Sequence, residues 1–222
     1  MNEGALAFVF DGCGKEYQCR VSRIGRTPVE LEIIEEAVAT AESPLKLTLA
    51  QAIAKADKFD FIVQKVTELG VHRIIPLVTD RADVKLDDAR AGERQARWRR
   101  ISLESLKQCG RSKLVDITLP TRIDSLLEIE PAGAPMPLIG FTEQGGLPLS
   151  EAVATASVGG AITLMIGPEG GWSESELELM TSSGVVRATL GPRILRTETA
   201  AITAVALLQH LLGDLSVART ES

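Results

Sequence analysis

The hydrophobic pattern divides the chain into two regions with different periods. In the first, turn-forming residues separate three short apolar stretches, a pattern typical of a small β module; they span residues 6–10, 17–24 and 29–34. In the second, apolar runs alternate with amphipathic segments, which indicates an α/β domain with a mostly parallel sheet. We therefore predict a β domain over residues 1–41 and an α/β domain over residues 42–222.

The α/β domain is predicted to contain six strands and several helices. The strands span residues 45–50, 74–78, 115–119, 137–141, 162–166 and 185–190. Asp57 can cap a helix whose apolar residues are spaced for one buried face and which ends at Gly70. A long helix is predicted to open at Asp87 or Asp88 and to run to about Cys109, and the last helix begins near Thr197.

Residues 161–212 contain two consecutive strand–loop–helix units. The first loop is the Gly-Pro-Glu-Gly-Gly turn at residues 167–171, and Ser173 with Glu176 has the spacing of a helix-capping box. The second loop starts at Gly191-Pro192. Loops at the carboxyl ends of parallel strands commonly bind ligands, and glycine lets the backbone approach a ligand closely. We therefore expect a ligand site made by these two loops.

Composition narrows the possible classes of protein. The 222 residues are 45% apolar and 24% charged, as in ordinary globular domains. No apolar run has the length of a membrane span and the N-terminus lacks a signal-peptide pattern, so we expect a cytoplasmic protein without a membrane partner. Three cysteines without CxxC spacing and two distant histidines predict neither a disulfide framework nor a metal site.

The charge is unevenly distributed. The net charge is −6, yet residues 90–113 hold eight basic and two acidic residues. A basic stripe on an acidic body fits an enzyme that docks on RNA at one place, and a solvated helix face is the other interpretation. The candidate RNA contacts are Arg94, Arg97, Arg100 and Arg111.

The two loops also carry a family resemblance. The segments IGPEGGWSESE and LGPRILRTETA together resemble the C-terminal signature of the 16S ribosomal RNA (uracil-N3) methyltransferase family, the RsmE type of the SPOUT superfamily. The resemblance covers essentially the whole chain. It implies methyl transfer from S-adenosylmethionine to N3 of a uridine in 16S ribosomal RNA of the small ribosomal subunit. It further implies a trefoil knot within residues 161–212 and a PUA-like RNA-binding β-barrel before it, which we expect to be truncated at its N-terminus.

The resemblance implies that three loops enclose the S-adenosylmethionine. Apolar side chains in these loops suit an adenine ring, and Glu169 either attracts the sulfonium or is a solvent-facing turn residue. The residues expected to contact the cofactor are Thr142, Glu143, Ile166, Gly167, Pro168, Glu169, Gly170, Gly171, Leu190, Gly191, Ile194, Leu195 and Thr199.

Arg193, Arg196 and Glu198 are the candidate catalytic residues. N3–H of uracil is a weak acid, so a cation near the uracil carbonyl oxygens would stabilise the anion as the proton leaves. The two arginines suit that role, although pairing with local carboxylates is an equal alternative. Glu198 can accept the proton or orient Arg196. Alternatively, its negative charge only stabilises the helix, because it lies in the first turn, at the positive end of the helix dipole.

The last helix suggests a homodimer. Its apolar residues occupy too many sides for a surface helix, and an apolar patch of this kind usually marks an interface. A helix buried within one subunit is the alternative. The SPOUT resemblance also implies dimerisation through this region.

Two other functions fit parts of the sequence. The basic stripe and the β module would suffice for a non-catalytic RNA-binding or ribosome-assembly protein. The Gly-Pro-Glu-Gly-Gly loop could bind a phosphate at a helix N-terminus, although the Gly-Lys-Ser/Thr of a P-loop does not follow it.

Overall fold

A computed structural model describes residues 2–25, 28–82, 88–129, 137–142, 145–154 and 156–216 of the chain. These residues form two compact units. The first contains residues 2–42 and 106–114, and the second contains the remaining described residues.

The first unit is built on an antiparallel sheet of three strands in the order β1-β2-β3. The strands are β1 (Leu6–Phe10), β2 (Glu16–Ile24) and β3 (Val29–Ala37). Cys19 and Val21 of β2 are buried, whereas β3 is exposed along nearly its whole length. Over the residues that the structure describes, this sheet is open, so a closed barrel is not confirmed.

The second unit contains an eight-stranded sheet. Its strands are β4 (Lys46–Ala52), β5 (Arg73–Val78), β6 (Asp116–Ile117), β7 (Thr121–Arg122), β8 (Leu138–Phe141), β9 (Leu147–Pro148), β10 (Ala161–Ile166) and β11 (Val186–Thr189). The order is β6-β5-β4-β10-β8-β11-β9, with β7 also paired to β5, and these pairings are parallel. The prediction of an α/β fold with a mostly parallel sheet is confirmed.

Helices cover both faces of this sheet. They are α1 (Ala56–Glu68), α2 (Asp88–Cys109), α3 (Ile123–Ile129), α4 (Leu149–Ala152), α5 (Glu174–Ser182) and α6 (Thr197–Leu212). Successive strand residues join opposite hydrophobic layers: Leu164 packs in the layer of α1 and α6, and Met165 packs in the layer of α3 and α5. Across the described ranges, none of the helices combines the length and the apolar character needed to span a membrane.

The strand predicted over residues 115–119 is shorter than expected. Only Asp116 and Ile117 pair with β5 as β6. The carbonyl of Ile117 instead accepts hydrogen bonds from the side chains of Gln95 and Arg99, at 2.8 and 3.1 Å. The apolar residues alone predicted a longer strand, but hydrogen bonds from α2 occupy the carbonyl at which the strand ends.

The strand order positions the candidate site. β10 lies between β4 and β8, and β11 pairs with the other side of β8. Since these strands are parallel, the loops that follow β8, β10 and β11 emerge at the same edge of the sheet.

Candidate functional site

A cavity of about 730 Å³ opens at this edge of the sheet. Its walls come from the loops after β8, β10 and β11 and from the first turn of α6. Single residues of α1, α5, β11 and the segment after β5 complete them. This volume lies within the range of small-molecule sites, which is about 300–1,000 Å³.

The Gly-Pro-Glu-Gly-Gly loop after β10 is held by the residues that follow it. A Cβ added to Gly167 would lie 3.0 Å from the Trp172 ring, so glycine allows the indole to pack against the backbone there. The Trp172 Nε1–H donates a 2.8 Å hydrogen bond to the Phe141 carbonyl at the end of β8. The loops after β8 and β10 are therefore tied together by one buried side chain.

The predicted capping box at the start of α5 is confirmed and has an additional partner. The Ser173 hydroxyl accepts from the Glu176 N–H at 3.2 Å, and the Glu176 carboxylate accepts from the Ser173 N–H at 2.8 Å. Its other oxygen accepts from the Asp80 N–H at 2.9 Å. The buried carboxylate thus joins α5 to the segment after β5.

The loop after β11 forms the opposite wall. Gly191 has φ of +85°, a conformation that L-residues with a side chain rarely adopt. Ile194, in the same loop, is 76% exposed although it is a large apolar residue. At the base of this wall the Thr197 hydroxyl donates to the Gly167 carbonyl at 2.7 Å, which links the start of α6 to the first loop.

Positive charge predominates around the cavity. Among the described lining residues the cationic side chains are Lys58, Arg81, Arg187, Arg193 and Arg196, and the acidic side chain is Glu169. Lys58 donates a hydrogen bond to Glu169, and this bond is the main cause of a pKa of Glu169 below its ordinary value. The same ammonium lies 3.9 Å from the carboxylate of Glu198.

The structure brings most of the predicted site residues together. The following predicted cofactor contacts line the cavity: Thr142, Ile166, Gly167, Pro168, Glu169, Gly170, Gly171, Leu190, Gly191, Ile194 and Leu195. Arg193 and Arg196 line it too. Glu143 lies outside the described residues.

Two predicted residues are not part of the cavity wall that the structure describes. Thr199 is exposed on α6, and Thr197 lines the cavity instead. Two helical positions correspond to a rotation of about 200°, so the side chains of Thr197 and Thr199 point in nearly opposite directions. Glu198 is not among the lining residues either, but its carboxylate lies 3.9 Å from the ammonium of Lys58, which does line the cavity.

Several lining residues were not predicted from the sequence, among them Lys58, Arg81 and Trp172. A signal was present for the two cations: Lys58 follows β4 closely and Arg81 follows β5 closely. Because parallel strands end at a common edge, cations just beyond two of their carboxyl ends were candidates for the same site.

The predicted RNA-contacting arginines have different environments. Arg97 donates to Asp60 at 2.9 Å, and this contact raises the pKa of the Arg97 guanidinium. Arg111, in the first unit, donates to Glu42 at 2.6 Å, and its side chain is only 10% exposed. Arg94 is half-buried and Arg100 is exposed. Of the four, Arg100 is the most directly available to a partner.

Groups of three or more His, Cys, Asp or Glu side chains that could hold a metal ion are absent from the described parts of the chain.

Comparison with known proteins points to one family. Residues 41–209 match the model of the RNA methyltransferase domain family. The chain is 33% identical over 222 residues to ribosomal RNA small subunit methyltransferase E of Bacillus subtilis, covering 96% of this chain and 86% of that protein.

Two solved structures are similar throughout. The first is a ribosomal RNA small subunit methyltransferase E from Neisseria gonorrhoeae bound to S-adenosylmethionine. It is 35% identical with a TM-score of 0.88, and the match covers 97% of this chain and 86% of that one. The second is a Legionella pneumophila protein in complex with the same cofactor, 34% identical with a TM-score of 0.81 over the same shares of the two chains.

Proposed function

This chain belongs to the ribosomal RNA small subunit methyltransferase E family, and we propose that it transfers a methyl group from S-adenosylmethionine to N3 of a uridine in 16S ribosomal RNA. The observation that carries the proposal is the cavity at the carboxyl ends of β8, β10 and β11, in a chain whose relatives bear this name and whose structural neighbours bind this cofactor. The substrate is RNA of the small ribosomal subunit.

The cavity residues fit the cofactor. S-adenosylmethionine has an apolar, planar adenine, a polar ribose and a charged amino-acid end. Leu190, Ile194 and Leu195 offer apolar surface for the adenine, and the exposure of Ile194 is accounted for by a ligand that covers it. Backbone groups of the Gly-Pro-Glu-Gly-Gly loop can bind the polar parts. When bound, the cofactor supplies a methyl group on a positively charged sulfur, which leaves as a neutral thioether.

The enzyme's own residues must hold the uracil and remove its N3 proton. Arg193 and Arg196 line the cavity, and a guanidinium beside a uracil carbonyl oxygen would stabilise the N3 anion as it forms. Glu198 is the candidate proton acceptor. One of its oxygens is buried without a hydrogen-bond partner in the described structure, and the other is 3.9 Å from Lys58. Its carboxylate therefore acts beside Lys58, which itself faces the cavity.

RNA would dock through cations at the cavity mouth and through the exposed Arg100 of α2. The other candidates are Arg94, Arg97 and Arg111. Arg97 and Arg111 are less available to RNA phosphates, because they already pair with Asp60 and Glu42. We further propose that the first unit is the RNA-binding module and that its open sheet is part of a PUA-like barrel. The enzyme would act in the cytoplasm, where it meets small ribosomal subunits.

The trefoil knot is supported by the strand order. The chain leaves β10, forms β11 beyond β8, and returns as α6 to pack against α1, β4 and β10. The return of α6 across the segment that precedes β10 would produce the knot. A homodimer is supported by Leu207 and Leu211, which lie one helical turn apart on α6 and are 40% and 44% exposed.

Two measurements test the function. Calorimetry should show binding of S-adenosylmethionine to the parent protein. Small ribosomal subunits that lack the modification should gain N3-methyluridine, detected by mass spectrometry, after incubation with the protein and S-adenosylmethionine. RNA binding without methyl transfer would favour the non-catalytic assembly protein. Binding of a nucleoside triphosphate but not of S-adenosylmethionine would favour the phosphate-binding enzyme.

A further inference from the structure

A buried amide lies beneath the cavity. Gln51, in β4, has a side chain with no exposed surface, and its register partner on β10 is Ile166, the residue before the Gly-Pro-Glu-Gly-Gly loop. Its Nε2 donates to the Ala52 carbonyl at 3.0 Å and to the Thr197 hydroxyl at 2.9 Å. Thr197 donates in turn to the Gly167 carbonyl at 2.7 Å.

The direction of these hydrogen bonds is determined by chemistry. The carbonyls of Ala52 and Gly167 can only accept. The single hydroxyl proton of Thr197 is therefore used on Gly167, and the hydroxyl oxygen accepts from Gln51. Gln51 must present its NH₂ group to both neighbours, which a carboxylate or a thioether at this position would not do.

We propose that Gln51 is a positioning residue of the donor pocket, which it does not itself touch. Through Thr197 it aligns the first turn of α6 with the loop after β10, so the two loops that hold S-adenosylmethionine keep one relative position. Thr197 and Gly167 line the cavity, whereas Gln51 is fully buried and is not among the lining residues. This inference rests on the proposed function of the cavity, which the parent protein tests separately.

The network is retained at an energetic cost, which argues for a specific role. Gln51 Oε1 is buried and has no hydrogen-bond partner in the described structure. Unpaired buried oxygens of this kind are uncommon and destabilising, because the group loses its hydration without replacement. A leucine or methionine would leave no unpaired oxygen, but it would lose both hydrogen bonds of the NH₂ group and with them the link to Thr197.

Gln209 provides a matched control for Gln51, and it lies on α6, the helix that begins at Thr197. It is fully buried too, and it joins α6 to other segments by donating to the Gly70 carbonyl at 3.0 Å and accepting from the Ser43 hydroxyl at 2.6 Å. It lies twelve positions beyond Thr197, a rise of about 18 Å along the helix. Loss of this amide should destabilise the fold without reaching the donor pocket.

The test compares S-adenosylmethionine affinity with thermal stability in Gln51→Met, Gln209→Met, Thr197→Val and Thr197→Ser. Both glutamine variants should lower Tm. Gln51→Met and Thr197→Val should each weaken S-adenosylmethionine binding about tenfold, the equivalent of one lost buried hydrogen bond. Gln209→Met should bind as the parent does. Thr197→Ser keeps the hydroxyl and should also bind as the parent does.

The double variant Gln51→Met/Thr197→Val should bind no more weakly than Thr197→Val alone, because the two residues act through one contact. The inference is overturned if Gln51→Met binds S-adenosylmethionine like the parent, or if Gln209→Met loses as much affinity at the same fall in Tm. Should Gln51→Met not fold, the Thr197→Val and Thr197→Ser pair decides: equal affinities of those two overturn it. Absence of binding by the parent would instead refute the proposed function.

Discussion

Lys58 of α1 and Glu169 of the loop after β10 form an ion pair across 111 positions of sequence. The pair lies on the cavity wall, and the Lys58 ammonium also approaches Glu198 at the start of α6. Through these two contacts Lys58 links α1 with the loop after β10 and with the first turn of α6.

Replacing Lys58 by methionine should raise the pKa of Glu169 toward its ordinary value of 4.5, because the Lys58 hydrogen bond is the main cause that lowers it. With a lowered pKa in the folded state, the pair's contribution to the free energy of unfolding is present above pH 4.5. It is lost as the pH falls through the lowered pKa. An NMR titration of the Glu169 carboxyl carbon measures the change directly.

Lys65→Met is the control for that titration. It removes a different ion pair of the same helix, the 2.9 Å contact with Glu68, and should leave the pKa of Glu169 unchanged. A Glu169 pKa that is the same in the parent and in Lys58→Met would show that the pair does not persist in solution.

Gly170→Val should weaken S-adenosylmethionine binding by about tenfold through a displaced loop. The sequence alone suggests that the new side chain would meet the ligand, but the structure shows that it meets Arg81 first. An added Cβ would lie 3.3 Å from the Arg81 Cβ, and the Arg81 side chain already donates to the Gly170 carbonyl at 3.2 Å. Calorimetry on the folded variant measures the loss.

The same substitution at Gly92 of α2, where an added Cβ meets no atom within 4 Å, should leave the affinity unchanged. If folded Gly170→Val binds S-adenosylmethionine as tightly as the parent, the loop after β10 does not form the donor pocket.

Charge reversal on α2 should weaken binding to the small ribosomal subunit without changing cofactor affinity. Reversing both Arg97 and Arg100 to glutamate tests the stripe as a whole, yet Arg97→Glu also breaks the contact with Asp60. Arg100→Glu alone is the cleaner change. Each lost phosphate contact should reduce the slope of log K against log salt by about 1.

Filter binding across a salt series measures that slope. An unaltered slope and affinity in Arg100→Glu would identify this part of α2 as a solvated face. Unchanged calorimetry with S-adenosylmethionine confirms that the variant is intact.

Lysines at positions 207 and 211 should separate the proposed dimer. Leu207→Lys together with Leu211→Lys places charge on the exposed side of α6, while the buried side, which includes Ala204 and Leu208, is untouched. In sedimentation the parent should have twice the 23.8 kDa chain mass and the variant should have that mass once. Leu119→Lys changes an apolar residue of similar exposure, 52%, outside α6 and should remain a dimer. A parent that sediments as a single chain at micromolar concentration would refute the dimer.

Local signals in the sequence were sufficient for most elements of the second unit. The spacing of Ser173 and Glu176 predicted the start of α5, because both partners of a capping box lie within one helical turn. Nearly continuous apolar runs predicted β5 and β10, since strands buried on both faces need few polar positions. The two-residue strands β7 and β9 were missed because so short a segment has no period to detect.

Local patterns in the chain predicted that two glycine-containing loops would follow parallel strands, and the structure places both loops in the wall of one cavity. The side-chain contacts that join these loops to the rest of the unit were not predictable in this way: Lys58 with Glu169, Trp172 with Phe141, and Gln51 with Thr197. The physical reason is range. Caps and hydrophobic periods depend on residues within a few positions of one another, whereas these contacts depend on the order β4-β10-β8-β11, in which residues far apart in sequence become neighbours.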